Sequence, residues 1–196
     1  MILYINACVR KNSRTDKLAK VLLSKFDDEI VELKLEDEKL LPYSESMIEK
    51  RTELARQGNF SDEIFKWANL FATADEIVIS APHWDLSFPA ILKIFIENIY
   101  VTGLVTKFGE NGKPVGLCKA KKLYYVATSG GKFIPDFSYN YIESLCKDYF
   151  GIKENSTDKK IDQKFTNSGF VDAVYSSKFP TELIEIIFQN FSIVVE

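Results

Sequence analysis

Glu76-Ile77-Val78-Ile79-Ser80-Ala81, running into Pro82-His83-Trp84-Asp85, is the stretch on which the fold turns. Residues 76–81 are almost uninterrupted apolar sequence and too short for a buried helix. A strand facing water on one side would alternate polar and apolar residues. A strand without that alternation is covered on both faces, as in a parallel sheet. Pro82 has no N–H to give to a ladder, so the strand stops there.

The flanking segments extend this reading. Residues 2–8 (ILYINAC) form a second buried strand, followed by a polar loop. Ser13 is placed to cap a helix over 14–26, with Leu18, Ala19, Leu22, Leu23 and Phe26 at helical spacing. Residues 29–35 (EIVELKL) alternate with period two, which suits a strand at or near a sheet edge. A helix is predicted near 45–57, stopped at Gly58-Asn59. Ser61 is read as the cap of another, with Ile64, Phe65, Ala68, Leu70 and Phe71 as its stripe. Pro89 opens a helix over 89–101, and 103–116 reads as a loop with repeated turn signals. Residues 122–128 are a strand ending in Ser129-Gly130-Gly131, and 138–150 a helix stopped by Gly151. Beyond that, 153–169 gives no assignable pattern. Residues 170–175 are expected as a last strand and 180–192 as a last helix. Strands alternating with helices predict an α/β domain, doubly wound, with helices on both faces of the sheet. Residues 1–196 are read as one domain, since no linker, repeat or change of composition divides them.

Composition excludes several classes. Hydrophobic residues make up 46% and charged residues 27%, which is incompatible with a disordered chain. A formal net charge of −3 supplies no bulk basic field for nucleic acid. The three cysteines, Cys8, Cys118 and Cys146, are far apart, and His83 is the only histidine, so no zinc cage is expected. The free thiols and the lack of a leader-like or membrane-spanning segment point to a cytoplasmic protein.

In a doubly wound sheet, ligands bind beyond the carboxyl ends of the strands. Three loops lie there. The first carries Arg10, Lys11, Arg14 and Lys17 with the hydroxyls of Ser13 and Thr15 at a helix start, a setting that suits a phosphate. A capped helix with solvated lysines fits the same residues. Neither the dinucleotide glycine fingerprint nor the P-loop pattern is present. The second, Pro82 to Pro89, is stiffened by its prolines and carries His83 and Trp84. The third, Ser129-Gly130-Gly131, permits close backbone approach but also fits a simple turn.

Together the loops are similar to the FMN-dependent NADH azoreductases of the flavodoxin-like quinone reductase superfamily. Ser13-Arg14-Thr15 stands at that family's S-x-S. Pro82-His83-Trp84-Asp85-Leu86-Ser87-Phe88-Pro89-Ala90-Ile91-Leu92-Lys93 stands at its P-M-Y-N-F-x-[IV]-P-x-x-L-K. Gly103 to Phe108 stands at G-x-T-F, and Gly112 to Leu117 at G-P-x-G-L. Ser129-Gly130-Gly131 stands at S-R-G-G, one residue shorter. Cys8 replaces a serine, Asp85 an asparagine and Leu86 a phenylalanine. The resemblance implies a five-stranded parallel sheet and a non-covalently bound FMN. The implied cofactor-binding residues are Cys8, Ser13, Arg14, Thr15, Pro82, His83, Trp84, Asp85, Leu86, Ser129, Gly130 and Gly131. It also implies NADH or NADPH as donor, a quinone or azo compound as acceptor, ping-pong hydride transfer, and a homodimer using the 89–101 helix. No side chain is nominated as an obligatory acid or base; His83 is the best candidate to influence protonation, because an unperturbed imidazole changes charge near neutral pH. A flavin electron carrier, or a redox-sensing protein without turnover, is the alternative.

Overall fold

The computed structural model describes residues 1–130 and 137–153, and the backbone of 160–165 and 171–176. Strands β1 (Ile2–Asn6), β2 (Ile30–Lys34), β3 (Glu76–Ser80) and β6 (Lys122–Ser129) pair in parallel in the order β2-β1-β3-β6. As the alternation predicts, β2 is an edge strand, and β1 and β3 are buried inside the sheet.

Side-chain alternation sorts the core into two layers. Leu3, Ile5, Ile77, Ile79, Leu123 and Tyr125 face one way. On that side they meet α3 (Lys66–Thr73), α4 (Ala90–Ile99) and α5 (Tyr139–Leu145), through Phe71, Leu92, Phe95, Ile99 and Ile142. Ile2, Tyr4, Val78, Tyr124 and Val126 face the other way, against Leu18, Ala19, Leu22 and Leu23 of α1 (Arg14–Leu23). Another helix, α2 (Glu45–Arg56), has no buried residue and touches the first layer only at its margin, through the partly buried Leu54 and Ala55.

The sheet departs from the expected five parallel strands. Next to β6 lies β8 (Val171–Ser176), antiparallel to it, and β7 (Lys160–Phe165) forms the edge, antiparallel to β8. The connection 166–170 is too short for a crossover helix, so β8 must return antiparallel. The strand that follows α5 therefore lands one place further out, and its hairpin partner fills the gap. The expected 180–192 helix lies outside the described residues.

Other boundaries were corrected by local chemistry. Ser61 is not the cap near 62; Asp62 is, accepting the Ile64 N–H at 3.0 Å, while Ser61 donates its hydroxyl to Asn59 Oδ1 at 2.8 Å. Pro89 sits at the cap of α4 rather than in its first turn. The 103–116 segment contains an antiparallel hairpin of three-residue strands, β4 (Thr106–Phe108) and β5 (Pro114–Gly116). It packs on the turn Cys146–Phe150 after α5, where Gly116 lies directly against the Phe150–Gly151 backbone. Gly151 stops that segment at φ 79°, as its position predicts.

Candidate active site

A cavity of about 330 Å³ opens at the carboxyl ends of β1, β3 and β6. Its lining brings together Ser13, Arg14, Thr15, Pro82, His83, Trp84, Ser129 and Gly130, with Val9, Arg10, Asn12 and Thr128 added. Residues distant in sequence meet because each follows a strand of one parallel sheet. Cys8, Asp85 and Leu86 do not line it, and Gly131 lies outside the described residues.

One end of the cavity is the start of α1. Ser13 caps the helix, its hydroxyl accepting the Asp16 N–H at 3.4 Å. Thr15 is buried, and its hydroxyl shares a 2.8 Å hydrogen bond with that of Thr128, the residue before Ser129. One of these two hydroxyls donates to the other. The second keeps its proton for a ligand at the helix N-terminus, where dipole and N–H groups favour an anion. Thr128 was absent from the sequence reading. Its signal was alternation: with Tyr124 and Val126 on the α1 face, Thr128 falls there too.

Beneath the first loop is a buried polar cluster that fixes this end. Asn6 donates to Asp16 Oδ1 at 2.9 Å and to Glu32 Oε1 at 2.8 Å, and accepts the Cys8 N–H at 3.0 Å. Tyr4 donates to Asp16 Oδ1 at 2.8 Å and bonds the Ser80 hydroxyl at 2.8 Å. Lys20 reaches Asp16 Oδ2 at 2.9 Å. The cluster ties the loop after β1 and the first turn of α1 to three strands. The polar atoms of Asn6 are each paired, as a buried amide requires. Burial raises the pKa of both the Tyr4 phenol and the Cys8 thiol. Cys8 is buried, its Sγ 3.5 Å from Ser80 Oγ, and so belongs to this support.

The other end is the loop after β3. The His83 N–H donates to Thr128 O at 3.0 Å, which prolongs the β3–β6 ladder one step past Pro82. Trp84 and Ser87 then exchange backbone hydrogen bonds of 3.0 and 2.8 Å around Asp85 (φ 50°) and Leu86 (φ 66°). Two positive φ values inside a two-residue turn define the mirror-image hairpin type, which favours Asn-Gly. Asp tolerates that region, but Leu does not favour it. The turn carries Asp85 and Leu86 to its exposed tip and leaves Trp84 at the cavity rim, 36% exposed. The Phe137 N–H donates to Leu86 O at 3.3 Å, joining this turn to the segment that precedes α5. Leu86→Gly is expected to stabilise the fold by about 0.5 kcal/mol. Relief of roughly 1–2 kcal/mol of left-handed strain outweighs roughly 0.4–1 kcal/mol of added unfolded-state entropy. Urea unfolding would measure it, and a loss of stability would show that the Leu86 side chain supplies packing.

A family model described as flavodoxin-like fold matches residues 1–156. The chain belongs to the flavodoxin-like family. An FMN-dependent NADH:quinone oxidoreductase 2 of Clostridium acetobutylicum is 39% identical over 140 residues, 67% of this chain and 68% of that protein. An FMN-dependent NADH:quinone oxidoreductase of Coprothermobacter proteolyticus is 32% identical over 168 residues, 79% of this chain and 83% of that one. The azoreductase of Bacillus anthracis str. Sterne superposes with a TM-score of 0.66 at 25% identity, covering 97% of this chain and 94% of that chain. The resemblance carried by the three loops is thus a family relationship, and this flavodoxin-like chain shares its fold with azoreductases.

Among the described residues no group of three or more His, Cys, Asp or Glu could hold a metal ion. No helix among them is long and apolar enough to cross a membrane.

Proposed function

We propose that this chain is an FMN-dependent oxidoreductase that passes hydride from NADH or NADPH to quinones or azo compounds. The observation that carries this is the two-ended cavity. A capped helix start with the Thr15–Thr128 hydroxyl pair suits a phosphate, and Pro82-His83-Trp84 beside Ser129-Gly130 suits a flat ring system. FMN fits that donor set, whereas the described residues of the cavity form no glycine cradle for a dinucleotide. Bound FMN would supply the two-electron hydride chemistry between nicotinamide and acceptor. The residues bind and orient: Ser13, Arg14 and Thr15 at the phosphate, and the His83–Trp84 backbone and Gly130 along the ring. A quinone becomes a hydroquinone with one hydride and one proton. Cleavage of an azo bond to two amines takes two hydrides and two protons, hence two molecules of donor.

Donor and acceptor use the same opening in turn. Anaerobic mixing of FMN-loaded protein with NADH is expected to bleach the flavin absorbance, and a quinone added afterwards to restore it. Bleaching without restoration by any quinone or azo compound would favour an electron carrier or sensor.

The reading includes a cytoplasmic homodimer, with residues 1–196 as one domain. On α4, Leu92, Phe95, Ile96 and Ile99 are already buried within the chain, so covering by its own elements accounts for most of the apolar surface. A broad groove of about 720 Å³ remains beside it, lined by Tyr43, Ile96, Tyr100, Tyr141, Leu145 and Tyr149 among others. A second copy is proposed to cover that groove, with two-fold symmetry. Sedimentation equilibrium at micromolar protein is expected to give twice the chain mass; a monomer with flavin bound would reject the dimer.

A further inference from the structure

We infer that Arg10 makes this site selective for aromatic acceptors that carry an anionic group, a sulfonate or carboxylate on the ring system. The inference rests on the oxidoreductase reading above and adds the substrate class.

Arg10 belongs to the loop that leads into the helix start, and its guanidinium reaches the Trp84 ring. Its Cζ lies 5.9 Å from the centroid of the Trp84 ring, in cation–π range. Both residues are exposed and both line the cavity. Arg10 is also chemically unspent. Arg56 is paired with Glu53, and Arg51 donates to the carbonyls of Glu97 and Tyr100. Arg10 has neither an ion pair nor a hydrogen-bond acceptor among the described residues.

A guanidinium held near an indole by a cation–π contact keeps its in-plane N–H fork for a ligand. Carboxylate and sulfonate oxygens match that fork, and such charge-assisted bonds are stronger than neutral ones. The surface Arg10 faces is the Trp84 indole, 36% exposed, with Pro82 and Val9 also in the lining. A fused aromatic ring lying at this mouth would rest on Trp84 and direct its anionic substituent to Arg10. A neutral quinone would use only the apolar part.

Titration calorimetry of the FMN-loaded protein with naphthalene-2-sulfonate and with neutral 2-naphthol is expected to show a preference for the sulfonate of about tenfold. Arg10→Gln is expected to abolish the preference, and Arg10→Lys to restore part of it, since charge survives without the planar fork. In steady state, Arg10→Gln should lower kcat/KM for 1,4-naphthoquinone-2-sulfonate about tenfold relative to 1,4-naphthoquinone. Equal loss for the two quinones would overturn the inference. So would an effect confined to the reductive half-reaction, which would assign Arg10 to the diphosphate of the nicotinamide donor. An FMN dissociation constant weakened about tenfold would also overturn it, by making Arg10 a phosphate ligand. If neither quinone is reduced by the wild type, the oxidoreductase reading fails, and the calorimetry still decides the role of Arg10.

Discussion

Gly116→Ala is expected to destabilise the chain by about 3 kcal/mol or more. A Cβ at position 116 would sit far inside 3.0 Å of Gly151 N, Phe150 C and Gly151 Cα, all of them backbone atoms. A flexible side chain could swing away from such a methyl group, but these atoms are held. Gly151 is fixed in its left-handed conformation, and the Cys118 N–H donates to Phe150 O at 3.2 Å. Adding the methyl group must separate the β4–β5 hairpin from the turn after α5. The usual gain from replacing glycine, roughly 0.4–1 kcal/mol through the unfolded chain, is too small to offset this. Urea unfolding with an unchanged slope and a lower midpoint would confirm the loss. Near-wild-type stability would mean that the two backbones part easily.

The double variant Ser13→Ala, Thr15→Ala is expected to weaken FMN binding by about one to two orders of magnitude. Each hydroxyl bond to phosphate is worth roughly 0.5–1.5 kcal/mol, and every 1.4 kcal/mol is tenfold. Loss of the Ser13 cap also lowers stability by about 1 kcal/mol, which leaves the fold intact. Riboflavin, which lacks the phosphate, separates the two effects. Its dissociation constant should barely move while that of FMN rises. Equal weakening of both ligands would place the phosphate elsewhere.

The sequence was most readable where one element alone determined the pattern. β3 and β1 are sandwiched between helices, so their apolar runs needed no partner to be recognised. β2 announced its edge position by alternation, and Gly151 marked the end of the α5 segment. The three loops are legible because the fold places them at strand ends, and eight of the twelve expected site residues line one cavity. What escaped depended on distant partners. Tyr4 and Asn6 read as ordinary members of a buried strand; their polar atoms make sense only beside Asp16, Glu32 and Ser80. Asp85 and Leu86 sit in the right loop, but the turn's positive φ values carry them away from the cavity. The antiparallel placement of β8 was equally hidden, because a period-two pattern does not encode strand direction.

The three cysteines have a bearing on survival during turnover. Quinones are not only oxidants; those with an open ring carbon add covalently to thiolates and arylate the proteins that handle them. The thiolate, not the thiol, is the species that attacks. Cys8, Cys118 and Cys146 are all buried, and burial raises the pKa of each, that of Cys118 to about 12. At neutral pH they are protonated and out of reach. On the proposed function, this chain carries no nucleophilic sulfur for its own acceptor to poison, although Cys8 immediately precedes Val9 of the cavity lining.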